Sequence, residues 1–254
     1  MLRSRIIPCL LLHKGGLVKT RQFKDPKYVG DPLNAVKIFN EKEVDELMFV
    51  DIDATAEGRA PNMSLLRSLA IESRMPLCYA GGVTQAEQAA RIVAAGFEKV
   101  SVNAAALARP ALIKEMSEAI GAQSVVVTLD LKAGLFGGYT IYTHNGKQKQ
   151  KVPLIEFCQQ AVELGAGEIV INSIDRDGEM AGYDLALARQ IRAAIDAPMT
   201  MLGGAGSTED MQALIDAVGV VGAAAGSFFV FKGQYRAVLI NYARPLRLFS
   251  QATA

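Results

Sequence analysis

The sequence predicts a (β/α)8 barrel built from two duplicated half-barrels, with residues 1–254 forming a single domain. Short apolar runs rich in β-branched residues alternate with helical patterns, and eight such units in about 250 residues suit this fold. Residues 75–82 are nearly copied at residues 197–204, and each stretch is a helix end, a proline, an apolar strand and a Gly-Gly turn. A repeat at fixed spacing indicates a duplicated unit. The alternative is an open doubly wound sheet, against which the eight regular units and the repeat both argue.

Each predicted strand is a near-continuous apolar run, as expected for a parallel sheet that is buried on both faces. The strands cover residues 5–11, 46–53, 77–81, 99–103, 124–130, 168–172, 199–202 and 220–225. Helical patterns occupy residues 32–42, 64–73, 84–95, 110–120, 154–164, 184–195 and 208–218. The repeat divides these elements into two halves of four units each.

Composition excludes several classes of protein. The net charge is +1, so no overall field favours nucleic acid or an anionic membrane. No apolar run approaches the roughly 18 residues that a membrane helix needs. The three cysteines form no CxxC motif, which indicates a reduced, cytoplasmic protein. With two histidines in the chain, a zinc site is not expected, and neither is any other metal or a cofactor.

Two long loops are predicted at the carboxyl ends of the strands. Residues 13–30 follow the first strand and are rich in basic side chains. Residues 132–151 follow the fifth strand, and Asn145-Gly146 within them predicts a small inserted hairpin. Long loops at this face of a barrel are often lids over the active site.

The Gly-Gly turns are candidate phosphate sites. They follow strands three and seven, where glycine lets the backbone approach a ligand and successive N–H groups can bind phosphate oxygens. Ordinary tight turns are the alternative for either turn alone, but two turns at matching places favour a ligand with two phosphates. The candidate phosphate-binding residues are Gly81, Gly82, Ser101, Asn103, Asp177, Gly178, Gly203, Gly204, Gly206, Gly226 and Ser227.

Asp130 ends the fifth strand and is the candidate general acid or base. A carboxylate at the carboxyl end of a barrel strand points into the active-site mouth. Aligning residues 124–130 with residues 5–11 places Leu11 at the position that corresponds to Asp130. Since leucine cannot transfer a proton, a reaction needing one acid and one base on opposite walls lacks one of them. A helix cap or a salt bridge is the structural alternative for Asp130.

Other polar residues at this face have two interpretations. Asp51 and Asp53 end the second strand, and residues 175–177 follow the sixth. They either position substrate hydroxyls or form pairs that stabilise the loops. His13 and His144 fall in predicted loops, and solvent exposure is expected for both.

Four charged residues open strands one, two, four and six at the opposite end: Arg5, Glu46, Lys99 and Glu168. Strand-initial charges usually lie on the surface. If these four point inward, they form a neutral, ion-paired ring that closes the barrel floor, because buried charges need such pairing. A ring that opens would admit a small molecule from below.

Several motifs together carry a family resemblance. They are residues 1–10, 31–32, 45–47, 99–103, 125–127 and, most specifically, 173–178. On these motifs the chain resembles the cyclase subunit of imidazole glycerol phosphate synthase over essentially its whole length. The resemblance implies a (β/α)8 barrel that receives ammonia from a glutaminase subunit and binds a bisphosphate ribonucleotide at its two phosphate sites.

The resemblance also assigns expected roles to individual residues. Ammonia would enter at the N-terminal face through the gate formed by Arg5, Glu46, Lys99 and Glu168. Glu98 and Gln123 would lie at the glutaminase interface, and Lys19 would assist Asp130 in catalysis. The family uses a second catalytic aspartate at position 11, where this chain has Leu11. Loss of a general acid or base typically costs roughly 10²–10⁴-fold in rate.

Residues 226–233 and 237–242 resemble a divergent branch, the glycosyl amidation-associated proteins of surface-polysaccharide gene clusters, including those for lipopolysaccharide. This implies an ammonia-conducting barrel that supplies a sugar amidotransferase, a second partner beside the glutaminase. A true cyclase in histidine biosynthesis is the second hypothesis and requires a substitute for the missing carboxylate, for which His13 and Lys19 are nearest. A non-catalytic scaffold that only activates its glutaminase is the third.

Overall fold

In the computed structural model, which describes residues 3–134 and 137–248, eight parallel strands close into a barrel. They are β1 (Arg5–His13), β2 (Leu47–Asp51), β3 (Leu77–Ala80), β4 (Lys99–Val102), β5 (Val125–Ala133), β6 (Glu168–Ser173), β7 (Met199–Leu202) and β8 (Gly222–Ala225). Each strand pairs in parallel with the next, and β8 closes onto β1 with Gly222 opposite Arg5. The predicted fold class is confirmed. The domain limits at residues 1 and 254 lie outside the described residues and stay a prediction.

Seven outer helices connect the strands close to their predicted positions. They are α1 (Pro32–Glu41), α2 (Met63–Glu72), α3 (Ala86–Ala94), α4 (Ala111–Ile120), α5 (Leu154–Glu163), α6 (Leu185–Ala194) and α7 (Thr208–Val218). Side-chain caps explain several starts, since Asp31, Asn62, Asp184 and Ser207 each accept a hydrogen bond from a backbone N–H in the first turn. A short helix, Ala104–Ala108, follows β4.

The eighth unit departs from the predicted strand-helix pattern. After β8 comes a four-residue helix, Ser227–Val230, then a hairpin of Phe231–Lys232 with Ala237–Val238, and then an irregular segment over residues 239–248. Tyr242 fixes this segment to the barrel wall, since its hydroxyl donates to the Ile6 carbonyl at 3.0 Å. Gly233 and Pro245 disfavour a continuous helix here. An irregular segment therefore packs against the barrel where another outer helix would lie.

Two more hairpins project from the carboxyl ends of the strands. Gly16–Arg21 pairs with Lys24–Gly30 after β1, where a loop was predicted, and Tyr139–Thr143 pairs with Gln148–Lys149 after β5. The second confirms the predicted hairpin. Its turn has three consecutive residues with positive φ, His144, Asn145 and Gly146, a conformation that asparagine and glycine tolerate best.

The apolar core has two layers. The larger layer lies between the barrel and the helices, and the smaller fills the barrel interior with residues such as Ile7, Met48, Val126 and Val170. Leu11 packs at the top of this interior cluster. None of the helices in the described part of the chain is long and apolar enough to span a membrane.

Candidate active site

A cavity of about 550 Å³ opens at the carboxyl ends of the strands. Asp130 and Leu11 both line it, from β5 and β1. The ends of β2, β3 and β4 supply much of the remaining wall, and the hairpins after β1 and β5 contribute Phe23, His144 and Asn145. His144 is half-buried, so its predicted exposure is wrong.

Asp130 is held by two amide side chains. Asn103 Nδ2 donates to one carboxylate oxygen at 2.7 Å, and Asn172 Nδ2 donates to the other at 2.8 Å. Burial nevertheless raises the pKa of Asp130 to about 7. A carboxyl group that titrates near neutral pH in a cavity is suited to general acid–base chemistry. Among the described residues it forms no ion pair, which removes the salt-bridge alternative.

Lys19 and His13, the nearest candidates to replace a carboxylate at position 11, do not face the cavity that holds Asp130. Lys19 is buried beside Gly226, its ammonium donates to the Cys9 carbonyl, and burial lowers its pKa. His13 Nδ1 donates to Asp53 at 2.7 Å, in a separate cleft. The His13 side chain is only 26% exposed, so its predicted solvent exposure is wrong. Neither residue lines the cavity that holds Asp130. The catalytic role of Lys19 stays a prediction.

Asp51 and Asp53 stabilise loops. Arg59 pairs with Asp51 through two hydrogen bonds of 2.9 Å, and the same carboxylate accepts from the backbone N–H of Asp53 and Ala54 at 3.1 Å. Arg59 lines the cavity, although the sequence analysis did not single it out. Arg59 follows Asp51 and Asp53 by only a few residues in the sequence, and this spacing could have indicated that it pairs with them.

The first-half phosphate candidates lie around the cavity. Gly81 and Gly82 have φ of +126° and +69°, and a Cβ would lie 2.5 Å from the Asp51 carbonyl and 2.4 Å from the Arg59 carbonyl. These glycines are thus required by close packing of neighbouring loops. Ser101 shares a hydrogen bond of 2.6 Å with Thr128 inside the barrel. Phosphate binding by this set stays a prediction.

The second-half candidates are brought together but lie outside the cavity wall. Asp177 accepts hydrogen bonds from Thr20 Oγ1 at 2.6 Å and from the Phe23 N–H at 3.1 Å, so the first hairpin is closed over this side. Arg236 donates to the Gly178 carbonyl and to Ser227 Oγ, at 3.2 and 3.4 Å. The two halves are therefore not equally open.

The glycines of the second Gly-Gly turn, Gly203, Gly204 and Gly206, also have structural roles. The Gly206 N–H donates to Asp210 at 2.8 Å, so it serves the start of α7. A Cβ at Gly203 would lie 2.7 Å from the Ser173 carbonyl, and one at Gly204 would lie 2.2 Å from the Gly182 carbonyl. Close packing thus explains both glycines without a ligand, and phosphate binding here also stays a prediction.

At the other end of the barrel, four charges form a ring, called here the charged floor: Arg5, Glu46, Lys99 and Glu168. Lys99 Nζ lies 2.8 Å from each glutamate, Arg5 lies 2.6 Å from Glu168, and Arg5 also pairs with Glu46. Burial alone would raise the pKa of Glu168, but the charges of Arg5 and Lys99 lower it to about 2. The structure thus brings all four together in a neutral network; their role as a gate stays a prediction.

Thr200 is a further member of the floor, which the sequence analysis missed. Its hydroxyl donates to Glu168, and the residue is almost fully buried. Gly222 makes room for it, because a Cβ there would lie 1.8 Å from Thr200 Oγ1. Cys78 lies beside the ring, and burial raises the pKa of its thiol well above the ordinary value.

Glu98 and Gln123 lie at the amino ends of β4 and β5, and both are exposed. This is the same end of the barrel as the charged floor. Contact with a glutaminase stays a prediction for both.

Fold and site define a duplicated (β/α)8 barrel with a buried carboxyl group of raised pKa at one end and an ion-paired floor at the other. The chain belongs to the histidine biosynthesis protein family, whose model matches residues 5–236. It is 54% identical, over 96% of its length and 95% of the relative, to a Vibrio vulnificus protein provisionally named imidazole glycerol phosphate synthase subunit hisF3. A Pseudomonas aeruginosa protein provisionally named subunit hisF2 is 49% identical, over 95% and 96% of the two chains. Imidazole glycerol phosphate synthase subunit HisF of Lysinibacillus sphaericus is 39% identical, over 96% and 97%.

Proposed function

We propose that this chain is the ammonia-conducting barrel of a two-component glutamine amidotransferase, and that the ammonia serves to amidate a surface-polysaccharide sugar. One observation carries the proposal: Leu11 shares the cavity with Asp130, while the charged floor keeps all four of its members. A cyclase that needs an acid and a base on opposite walls lacks one of them. A conduit needs only the floor and the interior.

The lining of the interior supports passage of neutral ammonia. Above the floor, the side chains of Ile7, Met48, Val126 and Val170 are apolar, and Leu11 continues this lining into the cavity. An apolar passage disfavours ammonium, because a charge loses its hydration there, while uncharged ammonia loses far less. Leucine at position 11 also removes a carboxylate that would retain a cation at the outlet.

The names of the relatives are consistent with a branch distinct from the histidine enzymes. The relatives at 54% and 49% identity carry provisional subunit names, while the plainly named HisF of Lysinibacillus sphaericus is 39% identical. We place the chain in the cytoplasm. We also propose that a glutaminase binds the N-terminal face of the barrel, where Glu98 and Gln123 lie.

Reconstitution tests the proposal directly. The barrel, its glutaminase and a sugar amidotransferase are mixed, and amidated sugar is measured with glutamine or with ammonium chloride as the nitrogen source. Lys99→Met, which breaks two ion pairs of the floor, should lower product per glutamine hydrolysed and leave ammonium-driven product unchanged. An unchanged product ratio would favour the scaffold hypothesis.

A second experiment distinguishes the cyclase hypothesis from the proposed ammonia conduit. Leu11→Asp restores the carboxylate opposite Asp130, so we expect measurable cyclase turnover of the bisphosphate ribonucleotide with free ammonia, at least about 100-fold above the unmodified chain. Leu11→Asn, which has a similar shape and cannot take up a proton, is the matched control. Robust turnover by the unmodified chain would instead establish it as a true cyclase.

A further inference from the structure

The positive charge of this chain is concentrated on the three hairpins of the catalytic face. We define residues 14–30, 131–134, 137–152 and 231–238 as the basic rim. These segments hold eleven of the 27 basic residues and one of the 26 acidic residues, a formal charge of +10. The rest of the chain carries −9. The near-zero total thus conceals a strongly polarised molecule.

Most of this charge is exposed and available. The exposed lysines of the basic rim are Lys14, Lys24, Lys27, Lys147, Lys149, Lys151 and Lys232. None of them forms an ion pair within residues 3–134 and 137–248. Single unpaired lysines are common on protein surfaces. Seven on one face, in a chain with 25 acids elsewhere, create a directed positive potential.

The three hairpins form one continuous surface. The Phe23 side chain lies so near the second hairpin that a Cβ at Gly146 would be 3.5 Å from it. Lys27 Nζ lies 5.2 Å from the ring centroid of Phe231, in the third hairpin. Phe23 and the second hairpin also line the cavity that holds Asp130. The basic rim therefore borders the cavity mouth.

Apolar side chains are exposed among these charges. Tyr28 is 65% exposed, Tyr235 is 87% exposed and Val238 is 44% exposed. Exposed tyrosines and apolar groups within a charged surface are typical of protein–protein interfaces. A rim that only attracted small anions would not need them.

We propose that the basic rim is the docking surface for a protein partner whose acidic surface surrounds an ammonia-consuming site. This inference rests on the proposed function, because a conduit must hand its ammonia to another protein. Ammonia that escapes into water at neutral pH is mostly protonated, so a partner sealed over the mouth keeps it neutral. Opposite charges on the two surfaces would speed the encounter and fix the orientation.

A triple charge reversal with a matched control tests the surface. Lys147→Glu/Lys149→Glu/Lys151→Glu changes exposed, unpaired residues of the second hairpin that have no assigned part in chemistry. Arg67→Glu/Arg91→Glu/Arg189→Glu makes the same charge change on exposed residues of α2, α3 and α6. The probe is the purified sugar amidotransferase encoded in the same genome, with its affinity for the barrel measured at low and moderate salt.

We expect the rim variant to bind at least ~10-fold more weakly at low salt, with a reduced salt dependence, and the control to stay within ~2-fold of the unmodified chain. Glutamine-driven product should fall with binding, while ammonium-driven product should not. Equal affinities of the two variants would overturn the proposal. So would an amidotransferase that does not bind, or a rim that instead binds single-stranded nucleic acid.

The outcomes separate this inference from the proposed function. If the amidotransferase binds through the basic rim but glutamine yields no product, docking stands and ammonia transfer fails. If glutamine yields product without binding at the basic rim, ammonia transfer stands and the docking surface is wrong.

Discussion

Asp130 shows how the place of a residue can be predicted from sequence while the pKa of its carboxyl group depends on the fold. Its place at the end of a predicted strand marked it as a candidate acid or base. Its pKa of about 7 depends on burial, with Asn103 and Asn172 partly offsetting the shift. Those two asparagines come from other strands, so only closure of the barrel brings them to the carboxylate.

Asp130→Asn should stabilise the protein above neutral pH. Between the ordinary pKa of 3.8 and the folded value of about 7, the folded state holds a proton that the unfolded chain has released, so stability falls as pH rises through this window. At about 1.4 kcal/mol per pKa unit, this loss amounts to about 4 kcal/mol. The variant removes it, so the variant should be about 4 kcal/mol more stable than the unmodified chain at pH 8 and little changed at pH 4. Denaturant unfolding at both pH values, with exposed Asp25→Asn as control, measures this. An equal effect at both pH values would contradict the assigned pKa.

Thr200→Val should weaken the floor without changing the size of the side chain. Removing the hydroxyl that donates to Glu168 disfavours the ionised carboxylate, so the pKa of Glu168 should rise and the free energy of unfolding at pH 7 should fall by about 1–2 kcal/mol. Titration of the Glu168 carboxyl carbon by NMR gives the pKa. Thr200→Ser keeps the donor and should behave like the unmodified chain; a shift of equal size in that variant would count against this hydrogen bond.

The sequence predicted the places of Asp130 and Leu11, which both line the cavity, but not the contacts that cross the barrel. Position 11 could be compared with Asp130 because both lie near the carboxyl end of the first strand of their half. The partners of Thr200 and Arg59 are set by how neighbouring strands and loops pack, and no local pattern encodes them. The same reason explains why the bond between His13 and Asp53 was not foreseen.

At the scale of elements, the barrel strands and outer helices were predictable because their apolar periodicity is strong. The hairpin after β1 was predicted only as a loop, since Pro26 and several lysines interrupt its alternation. The segment after β8 differs more from the predicted strand-helix pattern. Its path depends on contacts with β1, which is distant in sequence, such as the hydrogen bond from the Tyr242 hydroxyl to the Ile6 carbonyl.

Tyr242→Phe tests how much the attachment of this segment to the barrel contributes to stability. The hydroxyl donates to the Ile6 carbonyl at 3.0 Å, while the ring packs against Phe229 with centroids 5.4 Å apart and is retained in the variant. The variant also removes the weaker hydrogen bonds that the hydroxyl accepts from the Asp45 N–H at 3.4 Å and from Arg244 Nε at 3.3 Å. Loss of these bonds should lower the free energy of unfolding by about 1–2 kcal/mol. Tyr235→Phe, at an 87% exposed site, should change it by less than about 0.5 kcal/mol. Similar values for both variants would mean that the segment contributes little through these bonds.

At the scale of the whole molecule, the charged floor ties four strands together. Glu168→Gln leaves Arg5 and Lys99 with one carboxylate between them, so stability at pH 7 should fall by about 3 kcal/mol. A carboxyl group with a lowered pKa stabilises the fold above its ordinary value of 4.5, and this contribution is lost as pH falls toward 2. The difference from the unmodified chain should therefore shrink across that range in denaturant titrations. A constant difference would contradict the lowered pKa; Glu163→Gln, at an exposed site, is the control.

The charged floor also bears on how the two half-barrels became one chain. The first half contributes Arg5, Glu46 and Lys99, and the second contributes Glu168. Two copies of the first half would give a floor with a surplus of positive charge, and two copies of the second would have two acids and no cation. Neither half could have made this neutral floor by pairing with itself. Electroneutrality at the base of the barrel therefore belongs to the fused pair, and it records divergence of the halves after duplication.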